Sequence, residues 1–344
     1  MLNSYLDTLK QREEKRSFEY VALLDAIKPE YRYHFANDFV YVVEDTETKY
    51  RLTRHAFNQL CQILAKQGNQ TISARHLWGN PDTLNYNMNY HIGQVVKHIQ
   101  PEDDVFEVIL NVHNGTDING VLSKHYVGVS NLEVMEAFWD ACQEQDMYPV
   151  NIELRHYDDY YDTMRATILF EQFVNDNNLY GAGVLILNSQ NGKIGLTVQP
   201  IVKSTACDNS ITMYTDKWYH RHTGSIQDEL ENAFHNLEQY VSISVNLYHA
   251  YHQMRQIIVP DMDHEIDKII AQYKIPKKYR KYFVEGLTSE YDKQEHTMFG
   301  LVSGMTYLAQ HLPDIAVEQK LIEDASRLIM NEMNKVEKAE AIGA

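Results

Sequence analysis

The spacing of apolar residues changes period several times along the chain. Leu2, Tyr5, Leu6 and Leu9 recur at helical intervals, a denser apolar group spans 20–27, and Pro29 ends it, so residues 1–28 predict a helical arm suited to packing on a neighbour. Residues 38–43 and 49–52 read as two strands joined through Glu44-Asp45-Thr46-Glu47, and Thr53 stands where it can cap a helix running to about Lys66. Residues 84–99 predict another helix, whereas 105–112 alternate as a strand and meet a stop at Asn114-Gly115. Ser130-Asn131-Leu132-Glu133 is a capping box, after which Val134, Phe138, Ala141 and Cys142 form one apolar helix face.

Two further strands, about 148–157 and 164–170, lead into the most strongly patterned stretch, 180–224. Val184, Leu185, Ile186 and Leu187 make an uninterrupted apolar run, the mark of a strand buried on both faces. Asn188-Ser189-Gln190-Asn191-Gly192 then supplies residues that tolerate positive φ, and a turn is expected. Ile194, Leu196 and Val198 alternate with Gly195, Thr197 and Gln199, which predicts a half-buried strand lasting to about Val202. The two strands should lie side by side in an antiparallel sheet.

Beyond Gly224 the period is helical. Ser225 with Asp228 is placed to cap a long helix whose Ile226, Leu230, Ala233, Leu237, Val241, Ser244 and Tyr248 hold one face towards Pro260. From there only helices are predicted, broken near Pro260, Pro276 and Pro313. The expected fold class is therefore α+β, an antiparallel sheet with packed helices followed by a helical C-terminal region. Residues 1–224 form an α+β body with the N-terminal helical arm, and 225–344 form a helical region that can belong to the same domain.

Composition narrows the partners. The chain has 344 residues and a formal net charge of -17, so a polyanion must meet a local basic patch and not the surface as a whole. Cys61, Cys142 and Cys207 lie far apart with no CxxC pair, which argues against a disulfide framework or a cysteine zinc site and for a reducing compartment. The charged N-terminal stretch lacks the apolar region of a signal peptide, and no apolar run approaches the ~18 residues of a membrane span, so a cytosolic protein with no membrane partner is expected.

Short pieces spread over the chain carry a family resemblance. They are YRLTRHAFNQL at 50–60, GVLSKHY at 120–126, NLEVMEA at 131–137, Asn188-Ser189-Gln190 with Gly192, the strand at 196–202, Cys207-Asp208-Asn209, Arg221-His222-Thr223-Gly224, and GLVSGMTYLA at 300–309. In this order they resemble the phage/plasmid-like protein family that carries the domain of unknown function 932. One departure is Ser210, which stands where the family pattern has Gly after the Cys-x-Asn triplet. The resemblance implies a viral or plasmid context, hence a host cytosol, and kinship with ATP-independent single-strand annealing proteins that form rings.

Motifs for bond-making chemistry are sparse. Gly192-Lys193 is followed by Ile194, not Ser or Thr, so the phosphate loop of an ATP-driven enzyme is missing; Gly181-Ala182-Gly183 precedes a strand, which does not support dinucleotide binding. No catalytic residue, metal ligand set or cofactor is assigned. His249 and His252 lack a third ligand, and the acidic run at 261–265 follows Pro260, where capping explains it. A polar pocket is a candidate where Asn188, Asp208, Asn209, His220, Arg221 and His222 come together; its bland reading is a hydrogen-bonding corner.

The second candidate is basic. Lys277, Lys278, Tyr279, Arg280, Lys281 and Tyr282 concentrate cations and aromatic faces within an acidic chain, a combination that holds phosphates and stacks unpaired bases. Its bland reading is a solvated helix with aromatics turned to the core. These residues lead to a protein that binds single-stranded DNA without ATP, as a homo-oligomer that promotes annealing. The rival readings are a viral factor binding a host protein and a metal-dependent nucleic-acid enzyme built on His220, His222 and Asp208.

Overall fold

A computed structural model describes residues 2–68, 72, 74, 77, 83–98, 106–175, 178–204, 210–212, 217–288 and 296–343. Helix α1 (Leu2–Glu13) is followed by β1 (Arg16–Ala22), the short α2 (Leu23–Ala26), β2 (Arg32–Ala36), β3 (Phe39–Glu44) and β4 (Glu47–Thr53). Thr53 caps α3 (Arg54–Gln67) as expected, its side chain accepting from the Ala56 amide. After α4 (Leu84–His98) come β5 (Glu107–His113) and β6 (Asp117–Ser123). The first sheet runs β1-β5-β6-β4-β3-β2, antiparallel except where Arg51 and Leu52 of β4 lie parallel to Asp117 and Ile118 of β6. One face is covered by α3 and α4, where Phe57, Leu60, Leu64, Met88 and Ile92 meet Val40, Leu52, Val108, Leu110 and Val112.

The second sheet follows α5 (Asn131–Glu144). Its strands are β7 (Asn151–His156), β8 (Thr163–Asn175), β9 (Asn178–Ser189), β10 (Leu196–Ser204) and β11 (Ser210–Thr212), in the order β11-β10-β9-β8-β7, and β12 (Trp218–His220) pairs with the first part of β10. The expected hairpin is present, with Val184 opposite Pro200 and Leu187 opposite Thr197. Its second strand begins at Leu196 and is buried throughout, not half-buried. The reason is a helical layer on each side. Val184, Ile186, Leu196 and Val198 pack with Phe138 of α5 and Leu9 of α1, while Leu185, Leu187 and Ile201 face Ile315.

The helices after residue 225 are α6 (Ile226–Phe234), α7 (Leu237–Gln253), α8 (Met262–Gln272), α9 (Arg280–Thr288), α10 (Met298–Gln310) and α11 (Ile315–Gly343). The long helix expected from Ser225 is thus two. Asn236 restarts it by accepting from the Gln239 amide, and the Ser225 hydroxyl bonds Asp228 instead of capping. Asp261 caps α8 by accepting from the His264 amide, as the capping reading required. Helix α7 is pinned to the second sheet through Ser244, whose hydroxyl accepts from the Ile201 amide at 3.0 Å and reaches the Gly183 carbonyl at 2.8 Å. Helices α9 and α10 approach where both lack side chains, since a Cβ on Gly286 would sit 2.9 Å from the Gly304 Cα.

The fold is α+β, with two mostly antiparallel sheets and a helical C-terminal region. Two N-terminal expectations change. Residues 16–22 pair with β5 as a strand, because Tyr20, Phe18 and Arg16 fit the sheet edge, and α1 places Leu9 in this chain's own core.

Candidate functional site

The turn after β9 is the point where the two sheets meet. Gln59 of α3 accepts from the Val121 amide of β6 and donates to the Asn191 carbonyl at 2.9 Å, and His55 Nε2 lies 3.0 Å from that same carbonyl. The Tyr126 hydroxyl donates to Ser189 O at 2.9 Å, the Asn188 amide donates to Asn131 Oδ1 at 2.8 Å, and the Val127 amide donates to His222 O at 2.8 Å. Gly120 permits this closeness: a Cβ there would stand 3.2 Å from the Asn191 backbone. The short segments noted at 50–60, 120–126, 131–137, 188–192 and 221–224 therefore converge on one turn, although they are scattered in sequence.

Behind the turn lies a charged centre that sequence reasoning missed. Asp162, wholly buried ahead of β8, accepts from the side-chain amides of Asn111 at 2.7 Å and Asn119 at 2.8 Å, lies 3.0 Å from His113 Nε2 and pairs with Arg16 at 3.3 Å. Burial lowers the Arg16 pKa, opposed by the Asp162 charge. Burial likewise raises that of Asp158, whose carboxylate accepts from the Asp162 and Thr163 amides. A signal was present: Asn111, His113, Asp117 and Asn119 fall at every second position of β5 and β6, on the face turned from the apolar core, so a polar interface and not solvent awaited them.

In front of the turn a cleft of about 390 Å³ opens between α3, β6, the 192–195 loop and the 219–223 segment. Lys193 and Arg221 line it together with Ile63, Leu122, Tyr126 and Tyr219, and among the described residues its lining holds no carboxylate. His222 also lines it, only 4% exposed, with neither ring nitrogen in a hydrogen bond of normal geometry and the Tyr126 ring 5.1 Å away. Burial, with a smaller push from His220 and against an opposing pull from the Val127 backbone, lowers its pKa to about 4, so the imidazole is neutral.

The predicted polar pocket is thus met in part. Arg221 and His222 reach the cleft. Asn188 is buried behind the turn, His220 faces Glu229 at 3.5 Å and the Thr223 carbonyl, and Asp208 and Asn209 lie outside the described residues, as does Cys207. Cys61 and Cys142 are buried free thiols whose pKa burial pushes up to about 12.

The basic stretch divides at Arg280. A 3-10 turn, Lys277–Tyr279, leads into α9; Lys277, Lys278 and Lys281 are exposed, with the Lys278 and Lys281 ammonium groups 5.0 and 4.6 Å from the Tyr279 and Tyr282 ring centres. Arg280 instead pairs with Asp263 at 2.6 Å and Asp267 at 3.2 Å. Tyr279 and Tyr282 are half-buried against the helical core, and Tyr282 stacks on His311 at 4.1 Å.

These features define a two-sheet α+β protein with a polar inter-sheet junction, a cationic cleft and a separate lysine–tyrosine face, and no helix among the described residues is long and apolar enough to cross a membrane. Residues 119–330 match the family described as Domain of unknown function (DUF932), and the chain belongs to that family. No curated protein and no solved structure matches it.

Proposed function

We propose that this chain binds single-stranded DNA without ATP and acts as an oligomer that promotes annealing. The observation that carries the reading is the placement of exposed Lys277, Lys278 and Lys281 beside half-buried Tyr279 and Tyr282 on the 3-10 turn and the first turn of α9. Lys278 and Lys281 each have water on one side and an aromatic face on the other, and Lys277 is exposed beside them. Phosphates would draw the ammonium groups outward, and the uncovered part of each ring would receive a base. Mechanism here is physical: cations hold the backbone, rings hold bases apart from their neighbours, and base pairing supplies the free energy of annealing. The buried reduced thiols of Cys61 and Cys142 suit a reducing cytosol, viral or plasmid-borne, as its place of action.

An electrophoretic shift with matched single-stranded and double-stranded oligonucleotides, each with or without ATP and with or without divalent metal, tests the reading. Retention of the single strand alone, unchanged by ATP or metal, is the expected result. Equal retention of both, or none, refutes it, and a metal-dependent loss of the oligonucleotide establishes the enzyme in its place.

A further inference from the structure

His222 presents an unusual combination. It lines a cleft yet is nearly inaccessible and neutral, and neither ring nitrogen makes a hydrogen bond of normal geometry, the Val127 backbone acting on it only weakly. Buried polar groups are paired in the great majority of cases, and a side chain that departs from this asks for a ligand or a water. A neutral imidazole carries one N–H donor and one bare acceptor nitrogen, so a group that answers both must itself bear an acceptor and a donor.

The rest of the cleft restricts that group further. A metal ion is disfavoured, because Lys193 and Arg221 repel a cation and the described lining has no carboxylate or thiolate to join the imidazole. Inorganic phosphate alone leaves the apolar walls of Ile63, Val121, Leu122 and Ile194 unused, and the volume of about 390 Å³ is that of an organic ligand site. What remains is a flat heterocycle with hydrogen-bonding edges joined to an anionic group. Tyr219, half-exposed at the rim, offers a face for stacking.

We propose that this cleft binds a nucleoside monophosphate, its base edge towards His222 and its phosphate held by Lys193 and Arg221. The site shares no residue with the lysine–tyrosine face and does not depend on the strand-binding reading. The same chemistry is offered by a free mononucleotide and by the phosphorylated end of a strand.

Calorimetric titration of the full chain with AMP, dTMP, adenosine and inorganic phosphate tests it. At least one mononucleotide should bind saturably, with adenosine and phosphate each weaker by about tenfold or more. Lys193→Ala combined with Arg221→Ala, both cleft-lining residues short of the core, should bring mononucleotide affinity down to that of the nucleoside, and Tyr219→Ala should weaken nucleotide and nucleoside alike. Lys97→Ala, which removes an exposed cation elsewhere, should change nothing. His222→Gln keeps a donor and an acceptor and should retain more affinity than His222→Phe, with folding of both followed by circular dichroism. Displacement of the nucleotide by a 5′-phosphorylated oligonucleotide assigns the cleft to strand ends, and failure to displace assigns it to the free nucleotide. The proposal is overturned if the folded wild type binds no mononucleotide, or binds one with an affinity that the Lys193/Arg221 pair and both His222 variants leave unchanged.

Discussion

The Asn119 side-chain amide donates to Asp162 Oδ2 at 2.8 Å, and this bond joins a strand of the first sheet to the β7–β8 loop of the second. Asp162 also holds Asn111, His113 and Arg16, which puts its charge at the centre of a buried polar interface. Asp162→Ala should destabilise the protein by about 3–5 kcal/mol, because it takes the shared acceptor from the buried Asn111 and Asn119 amides and removes one of the two carboxylates that hold the buried Arg16, leaving only Glu13. Urea unfolding followed by fluorescence measures the loss. A change under about 1 kcal/mol would show that water or another carboxylate replaces Asp162 and that the hub is not cooperative.

Ser244 gives a second, independent test. Ile201 and Gly183 face each other across β9 and β10, and the Ser244 hydroxyl inserts between them, accepting from the Ile201 amide while reaching the Gly183 carbonyl. A Cβ on Gly183 would collide with the backbone of Ile168, so this stretch of β9 has no side chain to shield its own polar groups. Ser244→Ala should cost about 1–3 kcal/mol by leaving a buried amide unpaired. Hydrogen exchange should show the Ile201 amide losing protection relative to Val198. Unchanged protection would mean the ladder closes by itself.

What the sequence made legible follows from which signals are local. The 184–187 run, the Asn/Gly turn and the next apolar stretch placed the hairpin, and the Ser130 capping box is realised, with the Glu133 amide donating to the Ser130 hydroxyl at 2.9 Å and the Ser130 amide to the Glu133 carboxylate at 2.7 Å. The depth of β10 was not legible, since Thr197 and Gln199 alternate as solvent-facing residues do; both are buried because helices of a distant segment cover that face. The junction itself was half visible. Its turn stood out, whereas Asp162 sits in an ordinary Tyr/Asp-rich loop and gains its role only from Asn111, His113 and Asn119, which arrive from another sheet. The basic stretch was readable as composition, but the neutralisation of Arg280 by Asp263 and Asp267 depends on a helix-to-helix approach that spacing does not reveal.

Acid should weaken the fold through its buried imidazoles. Burial lowers the pKa of His222, aided by His220, and of His156, aided by Arg12, each from 6.5 to about 4 in the folded chain. Between those values the unfolded chain takes up protons that the folded chain refuses, so stability falls as pH drops from 6.5 towards about 4, by at most about 1.4 kcal/mol per pH unit for each group, and stops changing on their account below that. Above pH 6.5 neither contributes. Denaturant midpoints across this window should decline less steeply in the His156→Gln/His222→Gln double variant than in the wild type, and parallel slopes would remove these two histidines as the cause.

The lysine–tyrosine face yields a prediction that separates charges adjacent in sequence. Lys277, Lys278 and Lys281 are exposed, while Arg280 commits its guanidinium to two carboxylates and is therefore electrically silent towards an approaching phosphate. If the face binds single-stranded DNA, removing the three lysines should weaken binding and reduce the slope of log affinity against log salt by about 0.7 for each phosphate no longer neutralised, about 2 in all. Arg280→Ala should leave that slope nearly unchanged, and Asp263→Asn with Asp267→Asn should raise both affinity and slope by freeing the arginine. Tyr279→Ala behaves differently again, lowering affinity by about 1–3 kcal/mol at every salt concentration if its ring carries a base. Fluorescence anisotropy of a labelled oligonucleotide across a salt series reads all four variants. Should Arg280→Ala reduce the slope as much as any lysine substitution, its ion pairs yield to phosphate on binding; should the triple lysine variant bind as tightly as the wild type at all salts, this face is a solvated helix edge and strand binding must be sought elsewhere on the molecule.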